Sequence, residues 1–202
     1  MKASIDPLRT QIIQAALTLF REKGFHATTT QEIITAAGCS KGGFYHHFPR
    51  KDDLLYLAHE TFIDYELNCA SRVVAGPGSP REKLATIMTD LVESIARFQP
   101  QVTVFFQERH ALSSDRFSVV KQKRDEYVRI VEGVVRDGMA TGQFRQDMKP
   151  ELVTLALFGM CNWTYQWYRP DGRLSPREIG EQFYSLFLKG LEASDGSPIL
   201  PS

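Results

Sequence analysis

The sequence contains no stretch of apolar residues close to the roughly 20 that a membrane-spanning helix requires, so no membrane role is expected. It opens without a basic-plus-apolar leader, because an amphipathic pattern is already under way at Pro7. Cysteine is scarce: Cys39, Cys69 and Cys161 are widely spaced, odd in number and form no CxxC pair. That excludes a disulfide framework and suits buried thiols in a reducing cytoplasm, the expected location. There is no nucleophile elbow, zinc-binding motif, phosphate-cradling glycine loop or Asp/His cluster. These absences argue against an enzyme, and neither a metal nor a cofactor is expected.

Net charge is absent too, since 24 Lys and Arg balance 24 Asp and Glu over 202 residues. The balance hides an asymmetry. Residues 1–51 hold seven cations (Lys2, Arg9, Arg21, Lys23, Lys41, Arg50, Lys51) against Asp6, Glu22 and Glu32, a net of +4, and the remainder carries −4. A basic head on an acidic body is the distribution expected when only the head meets phosphate.

What the sequence has in abundance is helical periodicity. Ile12, Ile13, Ala16, Leu17 and Phe20 make one apolar stripe, which predicts a helix over 7–23 stopped by Gly24. Thr29 followed by Glu32 is a capping box that opens a short helix carrying Ile33, Ile34 and Ala37. Gly38-Cys39-Ser40 interrupts it, and a second short helix runs from Ser40 or Lys41 to His47, ended by Pro49. A long helix over 51–74 begins with Asp52 and Asp53 at its positive end. Beyond Gly76-Pro77-Gly78-Ser79-Pro80, helices are predicted at 80–98, 101–112, 115–141, 150–168 and 175–193, the last opened by Ser175-Pro176-Arg177-Glu178. The expected fold class is all-α with about nine helices. A three-helix helix-turn-helix DNA-binding domain is assigned to 1–51, an effector-binding and dimerisation domain to 52–193, and a flexible tail to 194–202.

Two helices of about eight residues joined by a tight turn do not persist for their own stability. Between two longer helices they form a helix-turn-helix, whose second helix fits the major groove. The residues here are Ile12-Ile13-x-Ala15-Ala16-Leu17-x-Leu19-Phe20-x-x-x-Gly24-Phe25-x-x-Thr28-Thr29-Thr30. They continue as Ile33-x-x-x-Ala37-Gly38-x-Ser40-Lys41-Gly42-x-Phe44-Tyr45-x-His47-Phe48-x-x-Lys51-x-x-Leu54. This pattern resembles the TetR family of bacterial repressors over about forty-five residues without a gap.

The resemblance implies double-stranded operator DNA as a partner and places contacts on named residues. Lys41 opens the recognition helix, where a long cation reaches guanine or phosphate. Gly42 and Gly43 bring the backbone close to base edges, and two glycines in one short helix, at about 1 kcal/mol each, imply a demand for close approach. Family members often carry a small polar residue where this chain has Gly43. Tyr45 and His46 occupy positions that the family sets against phosphates, with His47 and Lys51 adding to that clamp. Thr30 and Ser40 stand at helix N-termini, where hydroxyl and free N–H groups suit phosphate. As neighbours about 100° apart on a helix, His46 and His47 do not form an i, i+4 metal pair.

Past Pro80 the body is rich in aromatics, more than one packing seam needs, which predicts a pocket lined largely by apolar groups. Asn162-Trp163-Thr164-x-x-Trp167-Tyr168-x-Pro170-x-Gly172-x-Leu174-Ser175-Pro176-x-Glu178-Ile179, then Phe183 and Phe187-Leu188-x-Gly190-Leu191, looks like the last two helices of TetR-family regulators of fatty-acid, phenylacetate and steroid-ring catabolism. That resemblance implies release from the operator by an acyl-CoA thioester, with a lipophilic drug or an aromatic acid as the alternative effector. The candidate effector residues are Phe62, Phe98, Phe105, Phe106, Trp163 and Trp167, with Arg97 and Arg109 as cations for phosphate. Arg116, Lys121, Lys123 and Arg124 form a further basic group. A palindromic operator calls for a homodimer. Leu155, Phe158, Gly159, Phe183, Leu186, Phe187 and Gly190 are the candidate dimer residues, small among large so that helices approach closely.

Overall fold

A computed structural model of the chain describes residues 6–191, apart from the side chain of Arg109; the expected tail over 194–202 lies outside the described residues. Those residues form ten α-helices, one of them a single turn, and no strand. In order they are α1 (Pro7–Lys23), α2 (Thr30–Ala36), α3 (Lys41–His47), α4 (Lys51–Ala75) and α5 (Pro80–Arg97). Next come α6 (Gln99–Glu108), a 3-10 turn (Arg109–Ala111), α7 (Ser114–Ala140), α8 (Pro150–Asn162), α9 (Thr164–Trp167) and α10 (Pro176–Leu191). Tertiary contacts divide the chain into two compact units. The first takes the residues up to 64 together with 98–122; the second takes 65–97 and the residues from 123 onward.

Local chemistry explains the helices of the first unit. Asp6 caps α1 by accepting from the Leu8 N–H at 2.9 Å, and Pro7 follows in the first turn, where a missing N–H costs nothing. At the other end, Gly24 adopts φ +85° and donates its N–H to the Phe20 carbonyl at 2.9 Å. The Thr29–Glu32 box forms in full: Glu32 accepts from the Thr29 N–H at 2.7 Å and Thr29 Oγ1 accepts from the Glu32 N–H at 3.2 Å. Lys23 pairs with the same carboxylate. These bonds hold Glu32 down to a pKa of about 2, the Lys23 contact contributing most.

Packing then joins the short helices. Ile12, Leu17 and Phe20 of α1, Ile33 of α2, Phe44 of α3 and Leu55 of α4 lose essentially all exposure in one core. Each such side chain contributes about 1.5–3 kcal/mol by leaving water. Val104 of α6 belongs to the same cluster, with Ala111 and Leu112 packed against it, so 98–122 completes the core of the N-terminal head.

In the second unit α5 lies against α8, α9 and α10 and buries Leu84, Ile87, Met88, Leu91, Val92 and Ile95. A Cβ on Gly180 would fall 2.7 Å from the Thr89 Cα, so α10 meets α5 almost backbone to backbone. Two boundaries differ from the sequence pattern. Pro100 does not separate helices; it sits in the first turn of α6, where the absent N–H is no loss. The helix expected over 150–168 ends at Asn162, where the Thr164 hydroxyl takes the Cys161 carbonyl at 2.7 Å in competition with the backbone ladder.

Candidate nucleic-acid interface

The outward side of α3 is set by what the inward side buries. Phe44 and Phe48 are core residues, and Ser40 caps the helix by accepting from the Gly43 N–H at 3.0 Å. With that face fixed, Lys41, Gly42, Tyr45 and His46 are exposed. Tyr45 is 44% exposed, leaving its hydroxyl end to solvent while its ring meets the Phe44 edge at 5.3 Å. The two glycines separate. A Cβ on Gly42 would come no nearer to a neighbour than 4.0 Å, whereas one on Gly43 would meet Leu8 of α1 at 3.2 Å. Gly43 therefore answers a packing demand within the head, and only Gly42 leaves open space on the outer face.

Three other candidates take distinct places. Thr30, half-buried, is the first residue of α2, behind the Thr29 cap. His47 turns its Nε2 towards Asp6 Oδ2 at 3.3 Å and so ties the end of α3 to the cap of α1. Lys51 points inward. Its ammonium donates to the Phe25 carbonyl at 2.7 Å and the Thr28 carbonyl at 2.6 Å, and lies 4.2 Å from the Phe25 ring centre. Burial holds its pKa below the usual lysine value, with Asp52 and Glu108 acting in the opposite sense. The His46 and His47 rings stand 5.0 Å apart at 73°, and among the described residues no three His, Cys, Asp or Glu side chains gather to hold a metal.

Pairings that the sequence pattern does not mark brace this head. Glu108, at the end of α6, accepts the Phe25 N–H at 3.0 Å across 83 positions of sequence. Asp53 accepts the Arg50 N–H at 2.7 Å and also pairs with Arg116, whose guanidinium covers the Tyr56 ring. No periodicity or spacing points to such long-range partners.

The effector candidates fall on both units. In the first, Phe62 has its ring centre 6.4 Å from Phe98 and 6.5 Å from Phe105, and Phe105 is 5.1 Å from Phe106. His59 adds a buried ring 4.6 Å from Phe105. Arg109 is in the 3-10 turn, its side chain outside the described residues. In the second unit Arg97 lies over the Tyr65 ring at 5.4 Å. Trp163 and Trp167 of that unit are 61% and 44% exposed.

The second unit also holds an apolar face that its own residues leave open. Leu155 on α8 and Leu186 on α10 are 58% and 65% exposed, and Leu152 is exposed with them. A Cβ on Gly159 or Gly190 would meet nothing within 4 Å, and Phe183 and Phe187 are half-buried. Phe158 departs from this set, buried with its ring 5.3 Å from Tyr127. Deeper in the unit, Glu66 accepts from the Tyr127 hydroxyl at 2.9 Å and contacts the Ser94 hydroxyl. Desolvation by burial raises its pKa to about 7. Burial likewise pushes the Cys161 thiol up to about 12. No described helix is long and apolar enough to cross a membrane.

A capped pair of short helices, one presenting a polar face and both fixed on a shared aromatic core, defines a helix-turn-helix DNA-binding regulator. Residues 12–56 match the family described as bacterial regulatory proteins, tetR family, and residues 77–191 match the tetracyclin repressor-like C-terminal domain. The chain belongs to the TetR family of DNA-binding transcriptional regulators, and its role is regulatory rather than enzymatic. It is 30% identical to the HTH-type transcriptional repressor KstR2 of Rhodococcus jostii over 184 residues, covering 91% of this chain and 90% of that one. Its fold matches the ketosteroid transcriptional regulator KstR2 of Mycobacterium tuberculosis with a TM-score of 0.87 at 26% identity, over 95% of this chain and 98% of that one. AibR, solved in complex with isovaleryl coenzyme A and operator DNA, shares the fold with a TM-score of 0.77 at 24% identity, over 89% and 97% of the two chains.

Proposed function

We propose that the chain is a transcriptional repressor that binds a palindromic operator as a homodimer and is released by an acyl-CoA thioester. The observation that carries the repressor reading is the outer face of α3, where Lys41, Gly42, Tyr45 and His46 stand clear of the buried Phe44 and Phe48. Lys41 at the start of that helix reaches guanine or phosphate, Gly42 admits a base edge, and Tyr45 and His46 meet the backbone. Thr30 and Ser40 add hydroxyls at the two helix starts. Relatives bearing the name repressor, matched along nine-tenths of their length, support the direction of control.

Homodimerisation is supported by the exposure of Leu155 and Leu186 and the open space at Gly159 and Gly190, since exposed apolar side chains that gather on one face mark a protein partner. Trp163, exposed just past the end of α8, joins this face in our reading rather than the effector pocket. For the effector, the acyl group is assigned to the ring cluster of Phe62, Phe98, Phe105 and Phe106 in the first unit, and the phosphates to Arg109 of the same unit. Occupancy favours a state with lower operator affinity.

Gel shifts of an operator duplex with a panel of acyl-CoA thioesters test this reading. Thioester is expected to weaken binding at least about 5-fold, a coupling near 1 kcal/mol, and the matching free acids are expected to do less. Unchanged binding across the panel removes the acyl-CoA assignment; release by free acids alone selects an aromatic or lipophilic acid instead.

A further inference from the structure

We infer that Glu108 and Lys51 are positioning residues for operator binding, holding the turn 24–28 from two sides and so setting the pose of α2 and α3 without touching DNA. The turn is the covalent link between α1 and α2, and its backbone is engaged at Gly24, Phe25 and Thr28. Glu108 Oε1 accepts the Phe25 N–H at 3.0 Å. Lys51 Nζ donates to the carbonyls of Phe25 and Thr28 at 2.7 and 2.6 Å. Inside the turn, the Thr28 hydroxyl donates to the Gly24 carbonyl at 2.8 Å.

Sequence and sterics fit the clamp. Gly24 has φ +85°, which disfavours any side chain, and a Cβ there would stand 3.1 Å from Glu108 Oε1. The carboxylate thus occupies space that glycine leaves. Phe25 is buried, its ring 5.2 Å from Phe20, and Lys51 covers it, so amide, carbonyl and ring of one residue are each held by a neighbouring element. Thr29, the cap of α2, follows directly, and a shift of the turn moves that cap and the helix it starts.

Charge makes the assignment testable by sign. Removing an acid from beside a basic head should strengthen attraction to phosphate; loss of a positioning acid should weaken binding. The probe is a duplex selected from random DNA by the full-length chain, titrated by gel shift at several salt concentrations. Glu108→Ala is expected to weaken binding at least about 10-fold, the scale of one hydrogen bond to a charged group, and to speed exchange of the Phe25 amide about 10-fold. Glu108→Gln is expected to return both to within about 2-fold of the parent, because its carbonyl accepts the same N–H.

Lys51→Met is expected to weaken binding with the salt slope unchanged, whereas losing a phosphate contact flattens that slope by about 0.9. Should Glu108→Ala melt below the assay temperature, Glu108→Asp carries the test: charge is kept, reach is lost, and weaker binding is expected. Parent-level or tighter binding by Glu108→Ala, or by Glu108→Asp where it stands in, overturns the role of Glu108. A flattened slope for Lys51→Met overturns the role of Lys51. If the parent chain selects no duplex at all, the operator-binding reading falls and the proposal with it; if the parent binds, only the variants decide.

Discussion

On the outward side of α3 Lys41, Gly42, Tyr45 and His46 are exposed, whereas the second unit exposes the apolar Leu152 and Leu155 of α8, Leu186 of α10 and Trp163 just past the end of α8. The first surface offers a cation, bare backbone and hydrogen-bonding tips, the chemistry of phosphate and base edges. The second offers apolar side chains around glycines, which water disfavours and a second protein surface covers. The interiors differ as well. The first unit buries the His59 ring against Phe105, while the second unit keeps the Glu66 carboxyl deep among Ser94 and Tyr127. The difference shows how a chain of zero net charge serves two partners.

Four variants break or sharpen that contrast. Phe44→Ala should act most strongly, costing about 3–5 kcal/mol because the fully buried ring holds α3 on the core. Thermal unfolding followed by circular dichroism measures it; a change under about 1 kcal/mol would show that the head core is not cooperative.

The next effect belongs to the second unit. Glu66 is raised from 4.5 to about 7, so the folded chain holds its proton more tightly than the unfolded one. The stability this contributes is fully present below pH 4.5 and is lost as pH rises to about 7, a change of about 3 kcal/mol at most. Denaturant melts from about pH 4.5 to pH 8 should show that decline, and Glu66→Gln should flatten it. A parental slope that survives the substitution assigns the effect to another group.

Leu155→Arg together with Leu186→Arg places charge on the open apolar face. The dimer should weaken about 100-fold, near 2.7 kcal/mol, with monomer stability little changed because both leucines are more than half exposed. Sedimentation equilibrium reads it, and a parent chain that is already monomeric at micromolar concentration removes the homodimer. Smallest is Thr29→Ala, which deletes one arm of the capping box and should lower stability of the head by about 1 kcal/mol in the same melts.

Much of the head is legible in the sequence alone. The Pro7 start, the Gly24 stop, the Thr29–Glu32 box and the apolar stripe of α1 concern residues a few positions apart, and each element lies where the pattern predicts it. The exposure of Lys41, Tyr45 and His46 follows from the burial of Phe44 and Phe48 on a helix of known period. Pattern misleads where two orientations are equally open. A lysine at the start of α4 next to a DNA-binding head reads as a phosphate ligand, yet Lys51 faces the turn 24–28. A second glycine in the recognition helix reads as close approach to DNA, yet Gly43 accommodates Leu8.

The sequence by itself determined helix content, the capped short helices and the face α3 turns outward, because capping bonds and helical period act within a few residues. Tertiary structure alone decided that 98–122 completes the head, that Glu108 reaches Phe25 across 83 positions and that Glu66 sits in the second unit's interior. Such contacts depend on how helices dock, through many weak apolar contacts summed over the whole core. No short window of sequence carries that sum.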